Sequence, residues 1–235
     1  MNLSNKFKNK IYKVYNFLGT LKKILNLFFL NDEYIFTKFY KKNKWGGSES
    51  KSGEGSSKRN TLSTRKIIPR VIKKYSIKTF FDAPCGDFNW MKLVNFDDCK
   101  YIGGDIVNLI ISNNNKEFSN NKRQFINFNI ITNIPPKVDL IFCRDALIHL
   151  SNRATLQVLS NFRKSGSKFL LTTHFPNEKK NTFIVNGMFR RINLETNPFN
   201  LPAPIEIFLE DQIDQSLEKK FLALWDLTKI KSRSL

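Results

Sequence analysis

From residue 79 onward the chain alternates short apolar runs with stretches of helical spacing. TFFDA (79–83), KYIGGD (100–105), FINFNI (125–130), VDLIFC (138–143) and KFLLTTHF (168–175) are short, largely apolar segments. They read as buried strands, mostly too continuous in hydrophobicity to have one face in water. Between the last two, Ser151 to Phe162 has the spacing of a helix, with Ser151 as its N-cap. IEIFLE (205–210) and FLALWDL (221–227) predict an antiparallel hairpin on the sheet edge. The pattern therefore predicts an α/β fold, a mostly parallel seven-stranded sheet with helices on both faces.

Upstream the pattern changes. Along residues 11–30, Ile11, Tyr15, Leu18, Leu21, Leu25 and Phe28 fall on one side of a helix, with lysines between them. That face suits packing on the protein's own core, an anionic membrane surface, or a partner's groove. Trp45 to Arg65 is rich in Gly and Ser without hydrophobic period, so it reads as a loop, either a linker or a lid over a site. A helix then runs to Tyr75 from an N-cap at Ser63 or Thr64, with Pro69 bending or shortening it. Three parts follow: a basic amphipathic helical segment (1–44), the Gly/Ser-rich loop (45–65) and an α/β domain (66–235).

The 235 residues suffice for one core. The formal charge of +19 is concentrated upstream: residues 1–80 hold 19 Lys and Arg against 4 Asp and Glu. The remainder is nearly balanced, which argues against a nucleic-acid cleft in the α/β domain. Three cysteines without a C-x-x-C pair, and only two histidines, disfavour an internal zinc site. The odd cysteine count, without a secretory signal, points to the cytoplasm, with attachment at the inner membrane surface as an option for residues 1–30. The apolar run Ile24 to Leu30 is too short to span a bilayer.

FDAPCGDFNW (81–90) is the most informative stretch. A strand ends at Asp82, turns through Pro84-Cys85-Gly86, and is expected to enter a helix carrying Trp90. Asp82 and Asp87 would repel a diphosphate, so an NAD site is disfavoured, whereas a ligand with a cationic end suits them. The second strand ends in Gly103-Gly104-Asp105, where an acidic side chain can take both ribose hydroxyls.

These residues resemble the class I S-adenosylmethionine-dependent methyltransferases. FDAPCGDFNW stands at that family's acidic, Gly-rich first motif, with Phe88 in place of the usual second glycine. YIGGDIV stands at the acidic second motif and CRDALIHLS (143–151) at the fourth-strand motif. More narrowly, the motifs look like a branch of microbial and viral methyltransferases. The resemblance implies a Rossmann-like fold with S-adenosylmethionine as cofactor. It implies that Asp82, Cys85 and Gly86 frame the methionine part, Asp105 the ribose and Asn129 the adenine. Asp87, Trp90, Gly104 and Arg144 complete the expected cofactor site, with Arg144 alternatively binding an acceptor's anion or neutralising Asp145.

A hydroxyl acceptor benefits from a base. Asp145 and His149 are four residues apart and share a face if helical, so the carboxylate would favour the protonated imidazole. His174, ending the fifth strand beside Thr172 and Thr173, is the other candidate base. In GMFRRINLETNPFNLPAP (187–204), Arg190, Asn193, Asn197, Phe199 and Asn200 are candidates to line an acceptor pocket. The expected acceptor is a small molecule or glycan. A nucleic-acid methyltransferase, or a non-catalytic cofactor-binding module held by its basic arm, are the other readings.

Overall fold

A computed structural model describes residues 30–210 and 219–230, together with Gly19 and Leu27. The amphipathic stretch expected over 11–30 thus lies almost wholly outside the described residues. Seven strands form one sheet: β1 (Thr79–Asp82), β2 (Lys100–Asp105), β3 (Arg123–Asn127), β4 (Leu140–Cys143), β5 (Phe169–His174), β6 (Glu206–Leu209) and β7 (Phe221–Asp226). Their order is β3-β2-β1-β4-β5-β7-β6. The first five run parallel, and β7 pairs antiparallel with both β5 and β6. The helices are α1 (Asp32–Lys41), α2 (Leu62–Tyr75), α3 (Asn108–Phe118) and α4 (Asn152–Lys164).

The period of two sorts side chains between the faces. Phe80, Leu140, Phe142, Leu171 and Leu224 join a core that includes Ile68 and Val71 of α2 and Ile111 of α3. Their strand neighbours Phe81, Ile141, Cys143, Leu170 and Trp225 join a second core with Val158, Leu159 and Phe162 of α4. β4 and β5 are buried on both faces, which explains their unbroken apolar runs. Gly104 shows how tight this packing is. A Cβ there would lie 2.9 Å from Phe81 Cζ and 3.0 Å from Phe128 Cβ. Gly104→Ala is expected to lose about 1–3 kcal/mol in urea denaturation through overpacking, and an unchanged midpoint would contradict this packing.

Several boundaries differ from the sequence expectation. The third strand lies at Arg123–Asn127 rather than 125–130, because the chain turns at Asn129, whose Oδ1 accepts from Ile131 N. β4 starts at Leu140, since Val138 N donates instead to Ser167 Oγ. α2 begins at Leu62, so Ser63 and Thr64 lie inside it; Thr64 Oγ1 donates to Glu210 instead of capping. Pro69 sits within α2, which runs unbroken to Tyr75. No α-helix follows β1. A turn and a short 3-10 segment, Met91–Leu93, stand there, because Phe88 takes a left-handed φ of 56° that interrupts helical backbone. Ser151 caps α4 as expected, accepting from Ala154 N. No helix among the described residues is long and apolar enough to cross a membrane.

Candidate active site

A cavity of about 830 Å³ opens where β1, β2 and β4 end, the crevice in which this topology places ligands. Of the sequence-expected residues, Asp82, Cys85, Gly86, Trp90, Asp105, Asn129, Arg144, Asp145 and His149 all line it. Further walls come from distant segments: Phe36 of α1, Trp45 and Gly53–Ser56 of the Gly/Ser-rich loop, Phe189 and Arg191 of the 187–204 segment, and Lys220.

The two acids that end β1 and β2 are both buried. Asp82 Oδ2 accepts from Tyr101 Oη at 2.7 Å. Asp105 accepts from Gly86 N at 3.1 Å and Val107 N at 2.9 Å, so its carboxylate also fixes the turn after β1. Burial pushes Asp82 up to about 8, with the Asp105 charge adding to it. Burial likewise lifts Asp105, to about 6, against the pull of its backbone donors. Gly86 has φ 57°, and a Cβ would meet Ser52 Oγ at 2.6 Å, so glycine is favoured on both counts. Phe88 turns away from the cavity, its ring 5.2 Å from Tyr101, 5.3 Å from Phe118 and 5.1 Å from Phe125.

Beyond β4 four charges form a closed ring. Arg144 Nε lies 2.7 Å from Glu210 Oε1, and Arg144 Nη1 lies 3.1 Å from Asp145 Oδ2. Lys220 Nζ lies 2.9 Å from Asp145 Oδ2 and 3.1 Å from Glu210 Oε2. Burial raises both carboxyls, but Arg144 and Lys220 overcome it and hold them below the usual range. Asp145 sits at φ 53°, held by Thr173, whose Oγ1 accepts from Asp145 N and donates to Oδ1. Arg144 Nη1 also donates to Gly55 O at 2.9 Å. Arg144 Nη2 is buried and has no hydrogen-bond partner among the described residues. A buried guanidinium nitrogen without an acceptor, in a residue that lines a cavity, suits an anionic ligand group.

The two histidines differ. His149 Nδ1 lies 3.0 Å from the Met188 carbonyl oxygen, so Nδ1 carries the proton and Nε2 is free to accept. Burial lowers its pKa, outweighing Asp145, which reverses the expected protonated form. The segment is a short 3-10 turn, Leu147–His149, rather than the start of a helix. Its ring lies between Trp45, at 6.2 Å, and Phe189, at 5.9 Å. His174 does not line the cavity. Its Nε2 is 3.0 Å from Glu195 and its Nδ1 accepts from Leu194 N, so both nitrogens are engaged.

Asp87 and Gly104 also stay off the cavity wall. Asp87 anchors the Gly/Ser-rich loop, accepting from Ser50 Oγ at 2.8 Å and Lys51 N at 3.0 Å. Asn89 adds bonds to Glu49 and Ser56 O. Arg190, Asn193, Asn197, Phe199 and Asn200 are likewise absent from the wall. Arg190 donates to Thr182 O and Leu150 O, and Asn193 to Pro176 O and Glu178 O, so these side chains hold their own loop together.

Neither a family model nor a curated protein matches the sequence. Solved structures do. The N-methyltransferase NodS from Bradyrhizobium japonicum WM9, in complex with S-adenosylhomocysteine, aligns with a TM-score of 0.60 at 11% identity, over 83% of this chain and 98% of that one. Magnesium protoporphyrin IX methyltransferase (ChlM) from Synechocystis PCC 6803, with bound S-adenosylmethionine, aligns at 0.54 and 12% identity, over 83% and 97%. The methyltransferase domain of bacterial CtHen1-CN aligns at 0.54 and 11%, over 71% and 99%. With the sheet order and the antiparallel edge hairpin, these likenesses show that the chain has the fold of the class I S-adenosylmethionine-dependent methyltransferases.

Proposed function

We propose that this chain is an S-adenosylmethionine-dependent methyltransferase acting on a hydroxyl of a small molecule or glycan. The observation that carries the reading is the convergence, on one cavity wall, of buried Asp82, Asp105 and Arg144, whose Nη2 has no hydrogen-bond partner among the described residues. Those groups fit the cofactor: Asp105 for the ribose hydroxyls, Asp82 for the ammonium, and Arg144 Nη2 for the carboxylate. Phe128 and Asn129 border the part of the wall suited to the adenine. When bound, the sulfonium supplies an electrophilic methyl group. His149 Nε2, neutral through burial, accepts the proton of the acceptor hydroxyl. Asp145, kept ionised by Arg144 and Lys220, orients that hydroxyl by accepting a hydrogen bond rather than by taking its proton.

The loop 45–61 acts as a lid latched to Asp87, Asn89 and Arg144, which keeps water from the reacting groups. The structural neighbours include an N-methyltransferase and a magnesium protoporphyrin IX methyltransferase, so the fold leaves the acceptor open. The glycan-type assignment rests on the likeness of DAPCGDFNWM and YIGGDIV to a microbial and viral branch, some of whose relatives sit with surface-polysaccharide genes. Calorimetric titration with S-adenosylhomocysteine is expected to show one-to-one binding, weakened at least about tenfold in Asp105→Ala by loss of charged hydrogen bonds. Folded wild-type protein that fails to bind at millimolar ligand would sink the proposal.

A further inference from the structure

The two most exposed large apolar side chains among the described residues are Phe183, at 72%, and Phe189, at 60%. Both belong to one loop. Arg190 Nη1 donates to Thr182 O at 3.0 Å, which ties their two backbone neighbours together. Phe189 also lines the cavity, and Phe183 stands on the same loop. Lys179 and Lys180 are exposed on the same loop and make no ion pair among the described residues. The nearby acids are engaged: Glu178 by Arg191, and Asp32 by Asn186 Nδ2.

The chain just before α1 also meets this loop. Leu27 is buried with Ile35, Phe39 and Val185, and a Cβ on Gly187 would touch Ile35 and Phe39. The start of α1 therefore packs on the loop that carries the phenylalanines. Residues 1–26, which join the fold at this point, contain six lysines and no acidic residue.

We propose that this face docks on an anionic lipid surface, with Phe183 and Phe189 entering the interface and Lys179 and Lys180 contacting headgroups. Aromatic side chains beside a lysine cluster are the combination that binds such surfaces. A protein partner would have to bury the same pair, whereas Lys179 and Lys180, exposed and without ion pairs among the described residues, are complemented by an anionic bilayer. Docking is independent of the methyl-transfer reading. Its consequence, that the acceptor arrives as a lipid-borne group beside His149, rests on that reading.

The test uses the full chain, without cofactor, sedimented with vesicles of phosphatidylcholine alone or mixed with phosphatidylglycerol. Binding to the mixed vesicles only, weakened by salt, is expected. The double substitution Phe183→Ser and Phe189→Ser is expected to reduce it at least about tenfold, with an unchanged thermal midpoint because both side chains are exposed. In a separate variant, Phe183→Trp is expected to show added fluorescence quenched by brominated lipid. No binding to mixed vesicles overturns the proposal. So does binding that the double substitution leaves intact, which would reduce the contact to adhesion of the basic segment. Failure here with intact S-adenosylhomocysteine binding would leave the methyltransferase reading standing.

Discussion

Arg144→Met is expected to lower stability by about 3–5 kcal/mol, the cost of breaking a buried ion pair by removing one partner. The substitution takes one of two cations from the ring and leaves Asp145 and Glu210 to share Lys220. Glu210 is almost fully buried and has no route to water without movement of β6 and β7. It also removes the donors to Gly55 O and leaves Trp90 without the guanidinium above its ring. Urea denaturation measures the loss. Adding Glu210→Met is expected to recover much of it, because the unpaired charge is then gone; a double-mutant cycle isolates the pair. Acid should act in the same sense. The carboxyls whose pKa is depressed in the native state contribute stability above their ordinary values, and that contribution disappears as pH falls through the depressed ones. Single and double variants of equal stability would show that the ring carries no net charge balance.

Affinity for S-adenosylhomocysteine is expected to climb as pH rises from about 6 to about 8, by up to about a hundredfold. Asp82 is raised to about 8 by burial, so below that value its neutral form dominates in the ligand-free protein. A ligand ammonium favours the ionised form, and binding must displace the proton. Each pH unit then changes affinity by up to about tenfold. Asp105, raised to about 6, adds to the slope only at its lower end. The same shift sets a stability trend of defined sign. A carboxyl raised in the folded state contributes stability present below its ordinary value and lost as pH climbs through about 8. Asp82→Asn is therefore expected to flatten the binding profile above pH 7 and to stabilise the ligand-free protein at pH 8, by about 2 kcal/mol. An unchanged binding slope in this variant would show that Asp82 does not meet the ligand's cation.

The sheet was legible because burial on both faces leaves a local trace. LIFC and FLLTTH are unbroken apolar runs, and acids followed or preceded by glycine mark where β1 and β2 reach the crevice. Asp82, Asp105 and Arg144, which line the cavity, stand at or just beyond the strand ends that this trace marks. Lys220 and Glu210 could not, since their role depends on pairing with residues 75 and 66 positions away. The expected helix after β1 followed from the usual strand–turn–helix order. Phe88 overrides it by accepting left-handed backbone in return for an aromatic cluster of Tyr101, Phe118 and Phe125. His174 stands at a strand end, as catalytic groups do, but Glu195 and Leu194 from a long loop occupy both its nitrogens. Only the folded loop reveals that.

The charge ring also ties binding competence to the order of assembly. The parallel strands β1 to β5 can pair with one another before the β6–β7 hairpin arrives, but Arg144 and Asp145 then face water rather than Glu210 and Lys220. Solvent would occupy the crevice and compete for Nη2, and the floor beneath the ligand would be soft. On the proposed function, cofactor binding is therefore expected only once the hairpin is paired, as the last stone of an arch bears load only when set.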